Sequence, residues 1–275
     1  MTIFAIIKEA LRIARAHKSL WLFGFLAGLT GFNGGGGGGQ QGATSVPASP
    51  PELGTMLLVG LIIIALIVAF VILKFLSTGA LIEGVKRARR NGAMTVREGF
   101  REGWAHWGVL FRVALLYLLM NAGSAALLFG TCYLVWLAFG SPAVFVAAGV
   151  AVLVGVPWLL TLYMWQAFAE RIAVLENRHA LDAIRKARLF LHGRLQLGLK
   201  LLVAGFLGVL AVAALGFLVI GPLILLVAAL VPVWGSPAVA IGVLALPPAV
   251  FVVVAFIGIM TSSVWTIGYL TQVER

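Results

Sequence analysis

Apolar residues in this chain gather into six long stretches, and the segments between them alternate between strongly basic and almost uncharged. The stretches run from about Ser19 to Phe32, Leu53 to Gly84, Gly108 to Phe139, Ala143 to Val174, Gln196 to Val233 and Ala238 to Leu270. An α-helix needs roughly 20 apolar residues to cross a bilayer core, and all but the first stretch exceed that. The first is expected to borrow a turn from the segment before it while Lys18 snorkels to the interface. The fifth is too long for one unbroken crossing, so an interruption is expected at Gly221-Pro222, and Pro157 is expected to kink the fourth. The pattern predicts an all-α, polytopic bundle of six transmembrane helices in a single integral membrane domain covering residues 1–275.

Three polar segments have helical periodicity of their own. Over Thr2 to Lys18, Ile3, Phe4, Ile6, Ile7, Ala10, Leu11, Ile13 and Ala14 share one face, and Lys8, Glu9, Arg12 and Arg15 share the other. Thr95-Val96-Arg97-Glu98 has the spacing of a capping box. The helix it opens sets Val96, Phe100, Gly103, Trp104 and Trp107 against Arg97, Glu98, Arg101 and Glu102. From Leu175 to Leu195, Asp182, Arg185, Lys186, Arg188 and Arg194 alternate with Leu181, Ile184, Ala187 and Leu191. Short amphipathic helices of this kind are expected to lie in the headgroup plane. Lys86, Arg87, Arg89 and Arg90 read as a basic loop, and tight turns are expected at Gly140-Ser141-Pro142 and Gly235-Ser236-Pro237. Residues 33–52, with six consecutive glycines, read as a flexible outer loop. No Lys follows those glycines and no strand precedes them, which argues against a phosphate-cradling loop.

Charge gives the threading a direction. All 20 Lys and Arg fall on one side of the membrane that the stretches draw, and of the nine acidic residues only Glu52 falls on the other. The positive-inside rule then places both termini in the cytoplasm of a bacterial inner membrane. The first apolar run begins only after Lys18, behind a segment containing Glu9, and reads as a span rather than a cleaved leader. Hydrophobic residues make up 62% of the chain and charged residues 11%, against about 45–50% and about 25% in soluble domains. The apolar surplus is expected to face lipid. A formal charge of +11 would suggest nucleic acid in a soluble protein. Here the cations flank apolar stretches, so anionic phospholipid headgroups are the expected partners, at about 1 kcal/mol per cation near the surface. The candidate headgroup contacts are Lys8, Arg12, Arg15, Lys86, Arg87, Arg89, Arg90, Arg97, Arg101, Arg185, Lys186 and Arg188. A membrane-protein partner or a second copy of the chain remains open as a further contact.

One unit recurs along the chain: a charged helix, a span, an outer turn and a returning span. Ile7-Lys8-Glu9-Ala10, Phe100-Arg101-Glu102-Gly103 and Ile184-Arg185-Lys186-Ala187 align, and Gly-Ser-Pro-Ala-Val occurs at Gly140 to Val144 and again at Gly235 to Val239. The expected units are about 2–84, 95–174 and 180–270, a parallel repeat rather than the inverted kind common in alternating-access transporters.

The run Gly79-Ala80-Leu81-Ile82-Glu83-Gly84 leads into Val96-Arg97-Glu98-Gly99-Phe100-Arg101-Glu102-Gly103-Trp104. Later come Phe168-Ala169-Glu170-Arg171, Leu175-Glu176-Asn177 and Ala180 to Ala187. Together these resemble a loose group of uncharacterised bacterial six-span membrane proteins, which is similar to the membrane domain fused to some glycerophosphodiester phosphodiesterases. The likeness spans nearly the whole chain through degenerate motifs. No soluble segment of hydrolase size is present, so the resemblance implies a membrane module and brings no catalytic residue.

Candidate chemistry is sparse. Cys132 is alone, and His17, His106, His179 and His192 lack ligand spacing. No nucleophile elbow, paired intramembrane aspartates or P-loop is present, so neither an enzyme nor a cofactor or metal site is expected. Lys74 and Arg112 are within snorkelling reach of the inner surface, and Glu170 with Arg171 suggests an interfacial salt bridge. Asn121, Ser124, Thr131, Tyr133, Thr161, Tyr163, Gln166 and Thr266 are expected to hydrogen-bond between helices. Should a solute path exist, Asn121, Tyr163 and Gln166 are the candidates for lining it. The reading that asks least of these residues is a membrane scaffold or accessory module with a basic cytoplasmic face. The alternative is a transporter or channel component for a small or amphipathic solute.

Overall fold

The computed structural model describes residues 3–31, 53–90, 92 and 94–273. The glycine-rich segment 33–52 lies outside the described residues, and so does the expectation of a flexible outer loop. The described chain is an all-α bundle of eight helices: α1 (Ile3–Ala16), α2 (Ser19–Gly31), α3 (Leu53–Arg89), α4 (Val96–Phe139), α5 (Ser141–Leu175), α6 (Ala180–Leu191), α7 (Leu195–Trp234) and α8 (Ser236–Val273). Five of them, α3, α4, α5, α7 and α8, are long and apolar enough to cross a membrane. α2 is apolar but has 13 residues, about 20 Å of helix against a core of about 30 Å. It borrows no turn from α1, because the chain turns a corner at His17-Lys18. There the Trp21 indole N–H donates to the Ala14 carbonyl at 2.7 Å.

Several expected breaks are absent. Lys86, Arg87 and Arg89 form the last turns of α3 rather than a loop. No residue there opposes a helix, and Glu83 pairs with Lys86 at 3.0 Å and with Arg87 at 3.8 Å in the favourable i+3 and i+4 positions. The segment after Thr95 is no separate interfacial helix: α4 starts at the capping box and continues through Gly108. A lone helical glycine costs only about 1 kcal/mol. α7 runs unbroken through Gly221-Pro222, and α5 and α8 likewise contain Pro157 and Pro247-Pro248. With no water to take the freed carbonyl, breaking the helix would cost more than accommodating the ring. True reversals occur at Gly140 (φ 77°) and Gly235 (φ 60°). Both lie in the left-handed region that suits glycine, and each is followed by a Ser-Pro helix start.

Charged side chains tie one end of the bundle together, since ion pairs there link α1 to α3, α3 to α4 and the end of α5 to α6. The buried core gathers near this end around Phe23, Leu81, Tyr117, Phe168, Leu201 and Tyr269. Toward the other end, α3, α4, α5 and α7 expose Leu, Val and Phe on every side. No aqueous surface tolerates apolar area on that scale, so this is a multi-pass membrane protein whose apolar helices face lipid.

Two helix groups form. α3, α4 and α5 pack in sequence, while α2 and α7 flank α8. α2 approaches α8 backbone to backbone. Gly24 and Gly28 face the carbonyls of Ala255 and Val254, and Gly258 faces that of Gly24, so a Cβ on any of the three would overlap a main-chain atom. The short helices cap the charged end. α1 does not lie free in the headgroup plane: it buries Ile6, Ala10, Ile13 and Ala14 against the bundle, chiefly α8 and α7, while Lys8, Arg12 and Arg15 stay exposed. α6 packs on α5 and α4. The groups meet through α2 with α3 and α3 with α8, whereas α5 and α7 form no extended interface. Near the charged end Gly198 of α7 faces Met164 of α5.

Candidate functional site

Where α5 and α7 stay apart, a cleft of about 840 Å³ opens between the two helix groups. That is within the range of small-molecule sites, roughly 300–1,000 Å³. Helical spacing builds its walls. Tyr163, Gln166, Glu170 and Arg171 form one face of α5, and Lys74 and Thr78 lie a turn apart on α3. Thr261, Ser262 and Trp265 come from α8. The α7 wall is apolar, with Leu202, Phe206 and Val209 around Gly205. A Cβ on Gly205 would meet nothing within 4 Å, so the glycine leaves room rather than a close packing contact.

The polar side of the cleft is only partly self-satisfied. Gln166 Nε2 donates to Glu170 Oε1 at 3.0 Å, and Arg171 Nη1 donates to Glu170 Oε2 at 3.3 Å and to the Ala167 carbonyl at 2.6 Å. Arg171 is only 5% exposed, yet its Nε has no partner, nor has the buried Ser262 hydroxyl. Lys74 is exposed on its wall, 5.9 Å from the Phe75 ring centre, and pairs with no carboxylate among the described residues. Two cations and one carboxylate therefore line the cleft. Trp265 stands edge-on to Tyr163 at 5.9 Å and to Phe168 at 5.4 Å, which holds α8 against α5.

Helical rise gives the depth. Tyr163 is about 33 Å along α5 from Ser141, Lys74 about 32 Å along α3 from Leu53, and Thr261 about 38 Å along α8 from Ser236. Counted the same way, Glu170 and Arg171 lie about 44 and about 45 Å from Ser141, so the polar groups span an interval from roughly one hydrocarbon core to one whole bilayer with its headgroups, measured from the far helix ends.

Of the three expected path residues, Tyr163 and Gln166 line the cleft. Asn121 does not: its side chain donates to the Tyr117 carbonyl at 2.8 Å on its own helix. The same holds for most mid-span hydroxyls expected to bridge helices. Thr131, Thr161 and Thr266 donate to carbonyls three or four positions back, because a short side chain in an apolar medium finds its own backbone first. Ser124 does bridge helices: it bonds back to Met120 but also accepts from Trp158 Nε1 at 2.9 Å, joining α4 and α5, and the Tyr163 hydroxyl of α5 bonds the Trp265 side chain of α8. Sequence reasoning gave Lys74 and Arg171 only interfacial roles and passed over Ser262. An ionisable residue nine positions inside the last acid of its helix, as Lys74 is relative to Glu83, was the available signal.

At the charged end, five of the twelve candidate headgroup contacts pair with acids, one of them the exposed Arg101 with Glu102 at 3.8 Å. Arg87 reaches Glu102 at 3.0 Å and Glu98 at 3.9 Å, Arg89 reaches Glu9 at 3.5 Å, and Lys86 and Lys186 bind Glu83 and Glu176. Lys8, Arg12, Arg15, Arg90, Arg97, Arg101, Arg185 and Arg188 are exposed. Arg188 lies over the Trp165 ring at 5.5 Å. Partial burial pushes the Glu176 carboxyl up, but hydrogen bonds from Lys186, Tyr269 and Arg178 and the Lys186 charge outweigh it, holding the group below the usual carboxylate range. Among the described residues no His, Cys, Asp and Glu side chains gather as a metal site would require. Comparison with protein-family models, curated proteins and solved structures finds no match.

Proposed function

We propose that this chain is a non-catalytic module of the bacterial inner membrane, both termini cytoplasmic, whose basic end engages anionic phospholipid. The observation that carries the reading is how the charges divide. Glu9, Glu83, Glu98, Glu102 and Glu176 are spent on internal ion pairs, while Lys8, Arg12, Arg15, Arg97 and Arg185 point away from the bundle. Docking of the apolar face of α1 fixes its cations outward. The resemblance to a membrane domain that accompanies phosphodiesterases supports reading these residues as a membrane module.

The test is lipid enrichment around the purified protein at low and high salt. Phosphatidylglycerol enriched over phosphatidylcholine at 50 mM salt, fading by 0.5 M, is the expected result, because exposed charges are screened over a few ångströms at high salt. Replacing Lys8, Arg12 and Arg15 by Gln should weaken it. Enrichment indifferent to salt and to these substitutions would remove the basic face from the account. Labelling of Arg185→Cys from the periplasmic side of intact cells would invert the orientation.

The cleft favours a second reading, a transporter or channel component for an amphipathic solute. Access of a membrane-impermeant thiol reagent to Gly205→Cys from both sides of the membrane would support it; access from one side only would count against it.

A further inference from the structure

We infer that the cleft between α5 and α7 is a binding site for one phospholipid with a singly charged anionic head. The head sits between Arg171 and Lys74, and the acyl chains leave between α5 and α7. This rests on the membrane reading but not on the basic face, whose cations lie elsewhere.

Four observations converge. The lining carries two cations and one carboxylate, so a monoanion completes the charge. Arg171 is nine-tenths buried with Nε unpartnered, and the buried Ser262 hydroxyl is also unpartnered. Buried donors of this kind are normally satisfied, and a phosphate oxygen is the acceptor that suits a guanidinium best. Lys74 stands about 32 Å and Arg171 about 45 Å of helix from the far ends of α3 and α5, roughly one hydrocarbon core and one whole bilayer with its headgroups. That interval brackets the depth of a lipid phosphate in the leaflet at the charged end.

The shape of the opening points the same way. α3 packs along α4 and α8 along α2, but α5 and α7 part beyond Met164 and Gly198. The gap is edged by Leu160, which is 38% exposed, and Phe206, which is 65% exposed, with Val209 behind them. A helix gap lined this way in a bilayer fills with hydrocarbon, so a polar pocket with an apolar exit accommodates a head and its chains together. A free anion would use only the pocket.

Native mass spectrometry of the full chain in neutral detergent tests the inference, with phosphatidylglycerol and phosphatidylcholine of identical chains as probes. One phosphatidylglycerol per chain should persist in 0.5 M salt, since a contact to the buried Arg171 is screened far less than a surface one. Phosphatidylcholine should not persist. Lys74→Gln and Gly205→Leu should each weaken retention by about tenfold or more, a modest change in binding free energy. The first removes a charge from an exposed position and the second fills empty space, so neither empties the core if Arg171→Gln proves too disruptive to fold. Replacing Lys8, Arg12 and Arg15 by Gln should leave this one lipid in place while the salt-sensitive enrichment falls, which separates this inference from the basic-face reading. Equal retention of phosphatidylcholine would overturn the charge assignment. Displacement by millimolar inorganic phosphate would show a free-anion site instead. Retention unchanged in both Lys74→Gln and Gly205→Leu, or no lipid surviving high salt, would overturn the site itself.

Discussion

Tyr269, near the end of α8, donates its hydroxyl hydrogen to the carboxylate of Glu176, 93 positions earlier in the chain, at 2.5 Å. Glu176 caps α5 and also receives the Lys186 ammonium from α6 at 2.6 and 2.7 Å and Arg178 Nε at 2.8 Å. One acid thus ties helices of both groups together at the charged end, while α5 and α7 remain apart around the cleft. Phe168 and Phe190 pack beside Tyr269, with ring centres 6.4 and 5.5 Å away, and shelter the clamp.

Glu176→Gln keeps the shape of this clamp and removes its charge. Hydrogen bonds to charged groups contribute about 1.5–3 kcal/mol each when partly buried. Neighbouring waters recover some of this, so a net loss of about 1–3 kcal/mol is expected. Tyr269→Phe should cost about 1 kcal/mol. Thermal unfolding in neutral detergent reads both, and a Glu176→Gln protein as stable as the parent would show that the clamp contributes nothing.

The same acid predicts a pH response. Its folded pKa lies below the ordinary value of 4.5, so the ionised carboxylate favours the folded state. That contribution is fully present above about pH 4.5 and is lost as pH falls through the lower folded value. Between pH 6 and pH 3 the melting temperature of the parent should fall more steeply than that of Glu176→Gln. Parallel curves would remove Glu176 as the cause.

Gly258→Leu should displace α2 from α8. Gly258 faces the Gly24 carbonyl, where no side chain fits, and overpacking of this kind costs about 1–3 kcal/mol or more. Gly60→Leu on α3, with nothing near its Cβ position, is the matched control and should be silent. The two variants compared by melting temperature, and by protease access to the α1–α2 corner, give the answer.

Thr95→Ala should loosen the start of α4. Thr95 accepts from the Glu98 amide at 3.3 Å, and its own amide donates to Glu98 Oε2 at 2.9 Å. Losing such a cap costs about 0.5–2 kcal/mol. Amide exchange should quicken over Val96 to Gly99, leaving the rest of α4 unchanged.

Much of the fold was legible in the residues taken in order. Helix content, the five long apolar helices, the capping box at Thr95 and the reversals at Gly140 and Gly235 all follow from local composition. Each depends on the segment's own backbone and on whether its side chains prefer water or hydrocarbon. The expected break at Gly108 failed because one helical glycine costs only about 1 kcal/mol, and that at Gly221-Pro222 because propensities measured in water overstate the cost of proline where no water competes for the backbone. Two of three cleft residues proposed from polarity, Tyr163 and Gln166, line the site. Asn121 does not, because its own helix satisfies it.

What only the tertiary structure decided is which helices touch. Surfaces of Leu, Val and Ala are nearly interchangeable, so neither the α2–α8 contact nor the absence of an α5–α7 interface is written in hydropathy. Gly24, Gly28 and Gly258 settle the first because only a bare backbone lets two helices come that close. Lys74, Arg171 and Ser262 become one site because helices distant in sequence bring them to the same cleft. Whether a polar group inside a membrane is satisfied or waiting for a ligand depends on its neighbours in space, and those neighbours exist only after the bundle has formed.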